Sequence, residues 1–429
     1  MTILKYKIER GPKKIFWFTE QDLEVLRLIW EFKSLSLHQI KYYCEDLFNV
    51  KPKSIEKKLQ RWREGKVVIA KPYTKRPGAK IYYRLGSEGV NVLKLIGVIR
   101  SDQRIELDEL PSKRTTDHYL AIRDVVLLTL IQLKHSRDTV KSVSPSEHPY
   151  YEKGFEGTSP IVVPDWILLN KNGILNFEVD TGTENLNKLE EKVKKYVRYA
   201  TQRSNEIHHV LITVIDENDP RLKYINDIPK DRSVRIANLK EVVLKANAHI
   251  YPNLFFWVGS VSRISKIAYN ILTGDYSISA EKRSKQIKAI TALFKLNATF
   301  NYEIDTLNAD DFYLAEVNDD LYADEHLHFY GQEQETVLLK LMEEGSVKHL
   351  DQLDYLNRLQ DEKRFKKKVD KVLAIYQDND ELHNDVLGKV FPHILFTSFQ
   401  QLNLDLDDYP TVYQTVNTAR KESVLLYER

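Results

Sequence analysis

The chain has a single cysteine, Cys44, in 429 residues. That excludes an internal disulfide and any zinc site built from several thiolates, and it fits a reducing compartment. Glycine (15) and proline (14) are few, which excludes a collagen-like or broadly disordered chain. Long apolar runs are missing too. The longest, from Val125 to Leu133, is broken by Thr129 and Gln132 and follows Arg123 and Asp124. It is too short and too mixed to span a bilayer. The opening MTILKYKIERGPKK lacks the apolar stretch of a secretory signal. A cytoplasmic protein with no membrane partner is expected.

What is present is an uneven charge. Residues 1–100 carry 22 Lys and Arg against 10 Asp and Glu, which leaves 42 basic and 52 acidic residues for the rest. The basic end would attract a polyanion and the remainder would repel one. Length alone suggests about three domains.

The basic end reads as three helices and a hairpin. Thr19 caps the helix EQDLEVLRLIWEF, with Asp22 at the capping-box spacing, and Ser36 opens SLHQIKYYCEDLF. A third helix begins at Ser54, with Ile55, Leu59 and Trp62 inside and Lys57, Lys58, Arg61 and Lys66 mostly outside. VVIAKPY and KIYYRLG flank a Pro-Gly turn, as a hairpin does. Together these predict a winged helix over residues 1–105. Its third helix suits a major groove of double-stranded DNA, and its wing carries Lys71, Lys75, Arg76 and Lys80 towards phosphates. A solvated helix face would show some of these charges. Their recurrence on both DNA-facing elements favours binding.

Residues 101–113 read as a linker. From Thr115 a helix leads into TVKSVSP, IVVPDWILLN and ILNFEVDTG, then a helix to Gln202, the strand EIHHVLITVID, a short helix PRLKYIND and a strand SVRIANL. The order helix, three strands, helix, strand resembles the restriction-endonuclease-like core, assigned to residues 112–260. Paired strands would bring Asp165 and Glu178 together as an oxygen-rich Mg²⁺ site able to activate water. Asp165, Glu178, Asp180 and Lys192 are the candidate catalytic residues, with Asp165 and Glu178 as metal ligands. The pattern resembles the PD-(D/E)XK nuclease signature but has Asp180 where the lysine belongs. Lys188 or Lys192 would have to reach in from the next helix. His118 and Asp124 are weaker candidates, and His208 and His209 receive no role. Each carboxylate also has a bland reading as a turn or cap. Their place beside buried strand positions, where carboxylates are costly, favours a site.

The run from the winged helix through His118, PDWILL, FEVDTGTE and Lys192 four before Tyr196 resembles the bacterial replication-relaxation family over about residues 15–215. FEVDTGTE is the most specific part. The resemblance implies a plasmid or other mobile element and its replication or DNA relaxation.

Residues 261–429 are expected to form a mainly helical domain, giving an α/β multidomain protein overall. Residues 301–344 hold 13 Asp and Glu against one Lys, which suggests self-association, a protein partner or autoinhibition. SRISKIAYNILTG, SAEKRSKQIKAITALFKL, ETVLLKLMEEG and RFKKKVDKVLAIYQ read as helices, and LYADEHLHFYGQEQ as irregular. Glu325, His326 and His328 read as surface residues rather than a metal site. No internal repeat and no phosphate-binding Gly loop are visible. Three functions fit: a mobile-element DNA-binding protein with a non-catalytic nuclease-like domain, an Mg²⁺-dependent endonuclease, and a winged-helix transcriptional regulator.

Overall fold

The computed structural model describes residues 3–7, 15–72, 81–105, 116–133, 139–143, 162–182, 185–215, 232–275, 280–297, 303–314, 321–330, 334–417 and 420–426. They form three units in chain order.

The first unit opens with an antiparallel pair, β1 (Ile3–Lys7) and β2 (Ile15–Thr19). Then follow α1 (Glu20–Glu31), β3 (Leu35–Ser36), α2 (Leu37–Phe48), α3 (Pro52–Glu64), β4 (Val68–Pro72), β5 (Ile81–Leu85) and α4 (Ser87–Leu95). Strands β3, β5 and β4 make an antiparallel sheet in that order. The expected capping box at Thr19 forms, and Ser36, expected to open the second helix, forms another with Gln39. Thr19 and Asp22 exchange hydrogen bonds of 2.9 and 3.3 Å, and Ser36 and Gln39 exchange bonds of 2.8 and 3.1 Å. Helix α3 starts at Pro52 rather than Ser54. Proline suits the first helical turn, where its missing N–H is not needed. Lys75, Arg76 and Lys80 lie outside the described residues.

The second unit comprises α5 (Thr116–Leu133), β6 (Lys141–Val143), β7 (Trp166–Asn170), β8 (Gly173–Asp180), α6 (Leu186–Gln202), β9 (His208–Val214), α7 (Arg232–Lys245), β10 (Leu254–Ser260) and α8 (Val261–Thr273). The sheet order is β10-β9-β8-β7-β6. Strands β6, β7 and β8 pair antiparallel, and β8, β9 and β10 pair parallel. SVRIANL, expected as a strand, lies inside α7. Its alternation is fortuitous: Ile236, Leu239 and Val243 are buried at helical spacing while Val234 is exposed. The PRLKYIND helix falls outside the described residues.

The third unit comprises α9 (Ala280–Leu296), β11 (Glu303–Thr306), β12 (Glu325–Tyr330), β13 (Gln334–Leu341), α10 (Val347–Asp361), β14 (Lys371–Tyr376), α11 (Asn379–Asn384), β15 (Ile394–Ser398), α12 (Phe399–Leu404), β16 (Thr411–Asn417) and β17 (Arg420–Leu425). The expectation of a mainly helical domain fails here. These strands form one seven-stranded sheet, β11 to β17 in sequence order. ETVLLKLMEEG and RFKKKVDKVLAIYQ, read as helices, supply β13 and β14 at its centre. A strand buried on both faces reads as a continuous apolar run, which periodicity cannot tell from a buried helix. The irregular element expected near Glu325 is β12.

One hydrophobic core runs without a break from α1–α3 through α5 to Trp166, Phe177, Val179 and α8. Phe32 stacks on Trp166 with ring centroids 4.7 Å apart. The first two units therefore share a core, and α8 belongs with the second although its sequence lies beyond residue 260. A second core lies under α6 and α7, and two more cover the faces of the third sheet. No helix among the described residues is long and apolar enough to cross a membrane.

Candidate functional site

Two places carry the residues singled out by the sequence. The first is the outer face of α3. Burial of Ile55, Leu59 and Trp62 turns Lys53, Lys57 and Arg61 outward at helical spacing, and all three are exposed. Among the described residues none of these three has an acidic partner. Lys58 differs. Its ammonium meets Asp22 at 2.5 Å, and Asp22 is buried at the start of α1. Lys58 therefore ties α3 to α1. Lys66 and, on β4, Lys71 are exposed.

The second place is the end of β8. Asp165 stands one residue before β7, and its N–H extends the ladder by donating to the Phe177 carbonyl at 2.9 Å. Its side chain folds across to β8, where Oδ2 accepts from the Val179 N–H at 2.8 Å. Oδ1 meets Nε2 of His118, near the start of α5, at 2.9 Å. Glu178 points to the opposite side of β8 from Phe177 and Val179 and is buried. Its Oε1 accepts from the Tyr196 hydroxyl at 2.5 Å, and its Oε2 is engaged by Lys192. Lys192 and Tyr196 are one turn apart on α6, so a single helix face serves one carboxylate.

Asp180 lies on the same side of β8 but joins a different base. Its Oδ2 accepts from Arg235 Nε and Nη2 of α7 at 3.1 and 2.6 Å, and its Oδ1 accepts from the Gly182 N–H at 2.5 Å. The structure thus brings Asp165, Glu178 and Lys192 together, adds His118 and Tyr196, and leaves Asp180 in a separate ion pair. Tyr196 had a visible signal in its four-residue spacing from Lys192. Arg235 had none, because its helix reads as a strand. Lys188 is exposed. Asp124 instead accepts from Gln39 at 3.1 Å, between the first two units. His208 and His209 are buried in β9, and burial lowers them to about 4 and about 3.

Electrostatics separates the two carboxylates. Burial pushes Glu178 up to about 8, against the pull of Lys192 and with a further push from Asp165. Burial would also raise Asp165, but the His118 hydrogen bond and the Lys192 charge hold it below the ordinary value. Burial would lower His118, yet its bond to Asp165 leaves it above the usual histidine range. The cluster therefore holds a stable carboxylate beside a carboxyl that takes up a proton near neutrality.

The donor set does not fit a divalent cation in this arrangement. Each oxygen of Asp165 and Glu178 already faces a donor: His118, Val179, Tyr196 or Lys192. Among the described residues no three His, Cys, Asp or Glu side chains are grouped to hold a metal. Lys192 is itself the cation of the site.

The replication-relaxation family model matches residues 26–215, from within α1 to just past β9. No curated protein matches the chain. The matched stretch, which holds both the exposed face of α3 and the Asp165–Glu178–Lys192 cluster, is similar to the replication-relaxation family.

Proposed function

We propose that this protein binds duplex DNA through α3, the reading helix of a winged-helix unit, in the replication or mobilisation of a plasmid or other mobile element. The observation that carries the proposal is the row Lys53, Lys57 and Arg61, exposed on a helix whose opposite face is fully packed. Such a row costs nothing in the core and presents positive charge along one groove-sized element. The three-helix and antiparallel-strand order of the first unit agrees with it, and so does the family setting of replication and relaxation.

The second unit is read as a PD-(D/E)XK-like domain that contributes to DNA recognition without cutting. Support comes from its element order and from the convergence of Asp165, Glu178 and Lys192. Support for the absence of cleavage comes from the carboxylate oxygens, all of which face donors from the chain itself.

Two measurements test this. In fluorescence anisotropy with the full chain and a duplex, K57E/R61E should weaken binding about thirtyfold or more, at ~1 kcal/mol or more per contact. It should also flatten the salt dependence by about two counterions. K58A should leave affinity within about twofold, because that ammonium is spent on Asp22. Equal losses in the two variants would remove the α3 face from the interface. Incubation with supercoiled plasmid and Mg²⁺ or Mn²⁺ should leave it intact. Nicking that E178Q abolishes would make the second unit an endonuclease.

A further inference from the structure

The second and third units repeat one another in a way the sequence does not display. One runs α5–β6–β7–β8–α6–β9–α7–β10–α8 and the other α9–β11–β12–β13–α10–β14–α11–β15–α12. In both, three strands pair antiparallel, the third then pairs parallel with a fourth, and the fourth pairs parallel with a fifth. Parallel strands joined through helices are common to many folds, so that half of the likeness is weak. The rest is not generic.

Single hydrogen bonds recur. Asp324 stands one residue before β12, as Asp165 does before β7. Its N–H donates to the Leu339 carbonyl at 2.8 Å, and its Oδ2 accepts from the Leu341 N–H at 2.7 Å. The corresponding bonds of Asp165, to Phe177 and from Val179, are 2.9 and 2.8 Å. Each Oδ1 meets a base near the start of the preceding helix: His118 at 2.9 Å and Arg283 at 3.1 Å. These contacts align Phe177 with Leu339, and register carries the alignment across the sheet. Phe177 lies opposite Leu211 and that opposite Trp257; Leu339 lies opposite Leu373 and that opposite Leu395. Three residues further along, Ser260 and Ser398 stand at the N-caps of α8 and α12.

The same alignment places Lys340 where the second unit has Glu178. Lys340 is buried, with its ammonium 3.3 Å from Asp324 Oδ2 and 3.2 Å from the Tyr322 carbonyl. In the second unit a cation arrives from α6 to meet a glutamate. In the third, the strand itself supplies the cation and the glutamate is gone. We propose that the third unit is a second copy of the second unit's fold, in which Lys340 and Arg283 act as built-in cations that close Asp324 to divalent ions. The inference stands whether or not the second unit cuts DNA.

Lysine reversal tests it on the full chain. K340E would recreate an Asp–Glu pair at the register of Asp165 and Glu178, and R283H/K340E would add the histidine. Mn²⁺ bound per chain can be counted from the loss of the free-ion paramagnetic resonance signal. Each variant should bind one Mn²⁺ more than the wild type, D324N/K340E should lose it again, and K340Q should add none. Because the count is a difference, it is indifferent to any ion held by the second unit. If neither glutamate variant folds without metal, refolding in Mn²⁺ should restore a cooperative melting transition. Folded variants that gain no ion, or unfolded ones that Mn²⁺ does not rescue, would overturn the proposal.

Discussion

At Glu178 two opposing effects can be weighed. Lys192 and the Tyr196 hydroxyl favour the ionised carboxylate, whereas burial and the nearby Asp165 disfavour it, and burial wins. The folded carboxyl sits near 8, while an unfolded glutamate sits near 4.5. Between those values the folded state holds a proton that the unfolded chain has released. The stabilisation is therefore complete below about pH 4.5 and is lost as pH rises through about 8. Wild type minus E178Q melting temperature should fall across that window, by a stability difference on the order of 5 kcal/mol. A flat difference profile would mean that Glu178 is ionised throughout and that Lys192 outweighs burial. Asp165, Glu178 and Lys192 were legible in sequence because a proline-aspartate pair, an acidic strand end and a helical lysine each leave a local trace. The partner of Asp180 was not, since Arg235 is 55 residues away on α7.

At the scale of elements, helix ends were the most legible feature, because a cap is a contact between residues three apart. The second capping box also does something its spacing cannot reveal. Gln39 Oε1 accepts from the Ser36 N–H at 2.8 Å, while its amide nitrogen donates to the Leu120 carbonyl at 3.0 Å and to Asp124 Oδ1 at 3.1 Å. One buried side chain thus starts α2 and fastens it to α5, which places the first unit on the second. Q39A should cost about 2 kcal/mol, from a lost cap and an undersatisfied Asp124. Q39E keeps the acceptor for Ser36 but turns a carboxylate towards Asp124. It should therefore cost more than Q39A at neutral pH and recover part of the loss in acid. Chemical denaturation of both variants at two pH values checks the order. The misread elements α7, β13 and β14 have two causes with one effect. Burial on both faces, or a chance alternation, removes the periodic signal that a half-exposed element displays.

On the scale of the whole molecule, the repeat was invisible because it resides in backbone pairing, and its charged position has changed from Glu178 to Lys340. The acidity of the third unit was legible, but not its destination, since part of it faces the chain's own bases. Lys240 of α7 meets Asp385 at 2.8 Å, and Lys266 of α8 meets Asp378 at 3.0 Å. Arg263 of α8 bonds Glu344 at 2.6 Å through Nε and also engages Asp380. The Val258 N–H of β10 donates to the Gly345 carbonyl at 2.9 Å across the same contact.

An interface of ion pairs would ordinarily tighten as carboxylates ionise, but burial reverses the expectation here. It raises Glu344 to about 7 against the pull of Arg263, and it raises Glu381 to about 7, helped by Asp378 and opposed by Lys266. Their contribution is present below the ordinary carboxyl value near 4.5 and is lost as pH rises through about 7. The contact should loosen between pH 6 and pH 8. Hydrogen exchange at the Val258 and Gly345 amides, corrected for the intrinsic pH dependence of exchange, should lose protection over that interval, while the central-strand amide of Leu211 keeps its own. E381Q should remove part of the change, because a glutamine there has no proton to give up. Protection that instead rises with pH would show that the Arg263 and Lys266 pairs, not the buried carboxyls, govern how the third unit is held.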